Sequence, residues 1–162
     1  MENPLDPINH PLDGLIRDHD LVRKLAAAYR GTTDKEVKKQ AGKQIVQAIH
    51  NHSRAEENIF YPRVRHIDAP MVRHFEQLHL EVDDLVATLQ GMALDDAHAD
   101  HLLNQLIDKV LHHIAQEEKE FFPKLEQAGL DLAPLGLELA AFDANLVHLQ
   151  AAQSAGLGST LR

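Results

Sequence analysis

The chain has 162 residues and a formal net charge of -9. That length fits one domain, and that charge makes nucleic-acid backbones and anionic membranes poor partners. There is no cysteine, which excludes disulfides, zinc–thiolate sites, iron–sulfur clusters and thiol nucleophiles.

Residues 1–14 carry three Pro, no basic start and no apolar run, so they do not read as a signal peptide. No apolar stretch approaches the roughly 18 residues of a membrane span. A soluble, cytoplasmic protein is expected. The pattern is helical throughout. A first helix spans about 11–30, entered through Pro11 and Asp13 and ended by Gly31. Thr33 or Asp34 caps a second, which runs to about Phe60, where Pro62 breaks or kinks it. Asp68 and Pro70 open a third, which reaches Gln90. Asp95 opens a fourth, which reaches Gln127 and closes on Gly129. A fifth, Ala- and Leu-rich, covers about 132–153, and the tail from Ser154 is expected to fray. The fold class is therefore all-α: an up-down-up-down four-helix bundle over about 10–127 with an additional C-terminal helix, within one domain spanning 1–162.

The apolar stripes carry an anomaly. The first helix presents Leu12, Leu15, His19, Val22, Ala26 and Tyr29; the second presents Ile45, Ile49, His52, Glu56 and Ile59. The third presents Val72, Phe75, His79, Val82, Val86 and Leu89; the fourth presents Leu103, Leu106, Val110, His113, Glu117 and Phe121. Such stripes face a core and are normally apolar. Here histidine interrupts all of them, and glutamate interrupts two.

The interruptions repeat. NHSRAEENIFYPRV (51–64) aligns without a gap on HHIAQEEKEFFPKL (112–125), matching His52 to His113, Glu56 to Glu117, Glu57 to Glu118 and Pro62 to Pro123. Each His-x-x-x-Glu helix follows a helix with one stripe histidine, His19 or His79. Residues i and i+4 are neighbours on one helix face, so each His-x-x-x-Glu can reach one ion or two adjacent ions. Folding the halves about a pseudo-twofold axis brings together His19, His52, Glu56, His79, His113 and Glu117. Two carboxylates buried there would cost several kcal/mol or take up protons; a pair of dications removes that penalty. Imidazole and carboxylate without sulfur suit Fe, Mn, Zn or Ni. The remaining histidines, including His10 and His74, fall off the pattern and read as solvated or capping. Glu57 and Glu118, one residue past the stripe, point about 100° away, toward the surface or behind the ligands. Tyr61 and Phe122 precede the prolines and pack the bundle end, with the Tyr61 hydroxyl a possible donor near a bound ligand.

The segments RDHDLV around His19, HSRAEENIFYP at 52–62, His79, and HIAQEEKEFFP at 113–123 resemble the hemerythrin-like, or HHE cation-binding, family. The resemblance implies a four-helix bundle with two non-haem iron ions, oxo- or hydroxo-bridged, held by the six residues named above, with Glu56 and Glu117 bridging. One departure concerns the third helix. Oxygen-carrying hemerythrins have two histidines four apart there, whereas Phe75 and Asp83 flank His79 at that spacing. The missing imidazole leaves a position to solvent or to Asp83. The resemblance implies a protein that binds O2, NO or a related small ligand for sensing, storage or stress protection. Alternative readings are a di-iron enzyme decomposing peroxide and a structural metal-binding interaction module. The fifth helix has more apolar positions than one face needs, which leaves a homodimer open.

Overall fold

The computed structural model describes residues 10–160, with side chains except those of 147 and 151–160. The first nine residues, part of the segment read above as not a leader, lie outside it. Helix α1 is Asp13–Arg30 and α3 is Ala69–Gln90. Helix α2 begins with Lys35–Ala55 and continues through a π turn at Glu56–Phe60 into Tyr61–Val64. Helix α4 begins with Ala97–Gln116 and continues through a π turn at Glu117–Phe121 into Phe122–Gln127. Helix α5 is Ala133–Thr160. Among the described residues there is no strand, and no helix is long and apolar enough to cross a membrane.

Local chemistry sets the ends. The Asp34 side chain accepts from the backbone N–H groups of Glu36 and Val37, and Asp68 accepts from that of Met71. Asp96, rather than the expected Asp95, caps α4 by accepting from His98 N–H. Gly129 ends α4 with φ 70°, a conformation glycine adopts without steric cost. Helix α5 runs past the fraying point expected at Ser154, to Thr160, because no proline interrupts its alanine-rich sequence.

The prolines act differently from expectation. Pro62 does not end α2 near Phe60. A proline lacks the N–H that an α-helix needs and its ring presses on the carbonyl four residues back. The π turn inserts one residue just ahead of it: Tyr61 N–H bonds to the Glu56 carbonyl, and Phe122 N–H to that of Glu117. The helix then continues in a shifted phase. Phe60 and Tyr61 are both buried, while Ile59, expected on the stripe, is only half-buried.

Helices α1 and α2, α2 and α3, α3 and α4, and α1 and α4 pack together, which closes an antiparallel bundle. Helix α5 lies against α1 and α2 and the first π turn, covering a groove. Its Leu135 and Leu139 are buried in the core, whereas its Leu137 is 70% exposed. The core divides into two apolar clusters. One holds Val22, Tyr29, Ile45, Ile49, Val82, Val86, Leu103 and Leu106. The other holds Leu12, Leu15, Phe60, Tyr61, Phe75, Phe121, Phe122 and Leu125. Each buried Leu or Phe contributes roughly 1.5–3 kcal/mol of burial free energy. Along every bundle helix, one histidine position separates the two clusters, so the polar residues form a layer between apolar ends.

Candidate metal centre

The polar layer consists of His19 from α1, His52 and Glu56 from α2, His79 from α3, and His113 and Glu117 from α4. All six are buried, Glu56 and Glu117 completely (0% exposed). The structure thus brings together the six residues named from the sequence. They form two overlapping groups: His19, His52, Glu56 and Glu117, and then Glu56, His79 and His113.

The ring nitrogens converge. His19 Nε2 and His52 Nε2 lie 3.0 Å apart, and His79 Nε2 and His113 Nε2 lie 3.1 Å apart. Glu56 Oε1 sits 3.1 Å from His52 Nε2, 3.4 Å from His79 Nε2 and 3.6 Å from His113 Nε2. Glu117 Oε1 sits 3.3 Å from His19 Nε2 and 3.5 Å from His113 Nε2. Each carboxylate therefore faces histidines of both halves.

The outer ring nitrogens fix the protons. His19 Nδ1 donates to Glu118 Oε2 at 2.8 Å, His52 Nδ1 to Asp18 Oδ2 at 3.0 Å, and His79 Nδ1 to Glu57 Oε1 at 3.1 Å. A carboxylate only accepts, so these Nδ1 atoms carry hydrogen and the neutral rings present bare Nε2 lone pairs inward. Arginines hold two of the acceptors: Arg23 bonds to Glu118 at 2.8 Å and Arg54 to Glu57 at 2.6 Å. Glu57 and Glu118 thus orient imidazoles, settling which of their two expected roles they take. Asp18 does the same and was missed in the sequence, although it is a carboxylate directly beside a stripe histidine. A cavity of about 210 Å3 between α1, α2 and α5, lined by Asp18, Ala48, His52 and Asp143, reaches this outer edge of His52.

This arrangement calls for positive charge at its centre. Bare lone pairs about 3 Å apart repel, and Glu56 Oε1, Glu56 Oε2 and Glu117 Oε1 accept no hydrogen bond from any described residue. Without a metal, protons must serve. Burial pulls the His52 imidazolium down, but the Glu56 charge and the Asp18 bond outweigh it and hold its pKa well above the ordinary value. Burial likewise opposes charge on His79, yet Glu56 and Glu57 push it up to about 9. Burial disfavours the Glu56 carboxylate, but the charge on His52, with the adjoining Glu117 and His113 side chains, keeps it well below the carboxylate range. Glu117 is raised, by burial and by the neighbouring Glu56 charge. A cation in the layer would replace those protons. The spacing also fits: two nitrogens about 2.1 Å from one ion and at right angles to each other lie about 3.0 Å apart.

The Tyr61 hydroxyl enters the layer rather than only packing the bundle end. It donates to Glu117 Oε2 at 2.9 Å and lies 3.3 Å from Nε2 of both His79 and His113. Its repeat partner, Phe122, stacks on His19 with ring centroids 6.0 Å apart. Burial, then the Glu117 and Glu56 charges, raise the Tyr61 pKa well above its ordinary value, so the phenol keeps its proton. Asp83 is not in the layer. Its Oδ2 accepts from Arg54 at 2.8 Å, which ties it to the guanidinium behind Glu57. Of the off-pattern histidines, His10 accepts from Leu12 N–H just ahead of α1, and His66, His74, His98, His101, His112 and His148 are exposed.

The family model for the hemerythrin HHE cation-binding domain matches residues 10–125. The chain belongs to this family. The match spans all four bundle helices and every residue of the polar layer, and ends before α5. No curated protein and no solved structure matches the chain. Membership and the buried His/Glu groups make this hemerythrin-family domain a metal-binding protein with an all-α bundle.

Proposed function

We propose that this protein holds two non-haem iron ions and uses them to bind a small ligand, O2, NO or a close relative, in sensing, storage or stress protection. His19, His52, Glu56 and Glu117 would hold one ion. His79 and His113 would hold the other, with Glu56 and Glu117 shared between the two. The observation that carries this reading is the pair of Nε2···Nε2 separations, 3.0 and 3.1 Å, with a carboxylate oxygen beside each. Imidazole and carboxylate donors without sulfur suit iron. Two irons bound there would supply redox-active binding of diatomic ligands. The chain itself supplies an apolar enclosure, carboxylates that orient the imidazoles, and one proton-bearing hydroxyl, that of Tyr61. Tyr61 stands on the His79–His113 side as a hydrogen-bond donor for the incoming ligand.

The test is metal content and optical spectrum after expression in iron-replete medium. About two iron ions per chain with ferric absorption in the near ultraviolet supports the proposal. Zinc alone under several growth conditions overturns it. The anaerobically reduced protein is then exposed to O2, NO and peroxide separately. Reversible uptake of O2 or NO supports binding, whereas steady oxygen release from peroxide replaces it with the catalytic reading.

A further inference from the structure

The pseudo-twofold repeat breaks at one residue behind the ligands. Asp18 precedes His19 and accepts from His52 Nδ1 at 3.0 Å. The equivalent position before His79 is Leu78, which would have to serve His113. His113 Nδ1 is buried and has no hydrogen-bond partner among the described residues. Gln116 Oε1, on the same helix, is another buried acceptor without a partner, and no bond joins the two. The other backing groups obey the repeat. His19 and His79 each donate to a glutamate held by an arginine, Glu118 with Arg23 and Glu57 with Arg54. The asymmetry in the backing carboxylates is therefore confined to His52 and His113.

A carboxylate behind a ligating imidazole fixes the ring and raises its basicity, and its loss lowers metal affinity by about 10–100-fold. The His19–His52 side has two such imidazoles, and the His79–His113 side has one. Resting on the two-metal reading above, we infer that Asp18 is a positioning residue that makes the His19–His52 side the tight site, and that Leu78 leaves the His79–His113 side weaker, so the two ions load in sequence. A one-metal state then exists at limiting metal, with the ion on the His19–His52 side.

The experiment is an anaerobic titration of the metal-free full-length chain with cobalt(II), followed by calorimetry and by the visible absorption of the bound ion. The wild type is expected to take two ions in two steps separated by about tenfold or more in dissociation constant. Asp18→Leu copies the weak half into the strong one and should weaken the first step by about 10–100-fold, merging the two. Asp18→Asn keeps an acceptor and should recover part of that loss. Leu78→Asp copies the strong half into the weak one and should tighten the second step. Thermal unfolding of each variant in chelator confirms that it folds. Two equivalent ions in the wild type overturn the inference and leave the two-metal reading standing. So do variants that leave both steps unmoved. No cobalt, or a single ion at saturation, overturns the two-metal reading itself.

Discussion

The His19 side and the His79 side come from the same repeat and differ where the repeat is least strict. Both present two imidazoles at near-equal spacing, 3.0 and 3.1 Å, and both share Glu56. They part at Asp18 against Leu78, and at Phe122 against Tyr61. One side carries the extra carboxylate behind its ring and a hydrocarbon face; the other carries a bare ring nitrogen and a hydroxyl. The two halves of the repeat thus keep the six residues of the polar layer and differ in the groups packed around it.

The largest test of this comparison removes what the sides share. Glu56→Ala should lower bound iron from about two ions per chain to less than one by elemental analysis, since Glu56 faces histidines of both halves. Glu57→Ala, which strips only the support of His79, should retain most of the metal. Equal losses would mean that Glu57 is itself a ligand.

Acid attacks both sides together. Imidazoles and carboxylates must shed protons to bind metal, so at pH 4 the protein should release it; full retention would count against this ligand set. The sign in the metal-free protein is opposite. The His79 pKa is raised to about 9, so its contribution to the metal-free fold is complete below its ordinary 6.5 and lost as pH rises through about 9. The melting-temperature gap between loaded and chelator-treated protein should therefore widen from pH 6 to pH 9 in scanning calorimetry.

Tyr61→Phe makes the two sides more alike. It removes the donor to Glu117 Oε2 and should cost the metal-free protein about 1–3 kcal/mol in denaturant melts, with metal content little changed. The smallest effect lies on α5. Burial, and then Asp18, raise the Asp143 carboxyl to about 6. The folded state therefore favours its neutral form, and the penalty is absent below the ordinary 3.8 and full above about 6. Asp143→Asn should stabilise the protein by about 1 kcal/mol at pH 7, after allowance for solvent screening, and by almost nothing near pH 3.5.

Much of this was legible because helices obey short-range rules. The stripes of α1, α3 and α4 fall on buried positions residue for residue, and the caps at Asp34 and Asp68 sit where their side chains can reach free N–H groups. The stripe of α2 failed only at Ile59. There a π turn shifts the phase, and nothing in a 3.6-residue period announces an inserted residue. Asp18 escaped notice because its partner, His52, lies on another helix. Asp83 stood at ligand spacing in the chain, yet Arg54 from α2 holds it elsewhere.

Sequence alone determined the helical class, the order of the five helices and the six residues that gather in the layer, since each follows from periodicity and a repeat within the chain. Only the tertiary structure decided which carboxylate stands behind which imidazole, that His113 has none among the described residues, and that Tyr61 turns into the layer. Those facts depend on side chains meeting from different helices, and on a local change of helical pitch that sets their rotation by tens of degrees. Spacing along one chain carries no record of either.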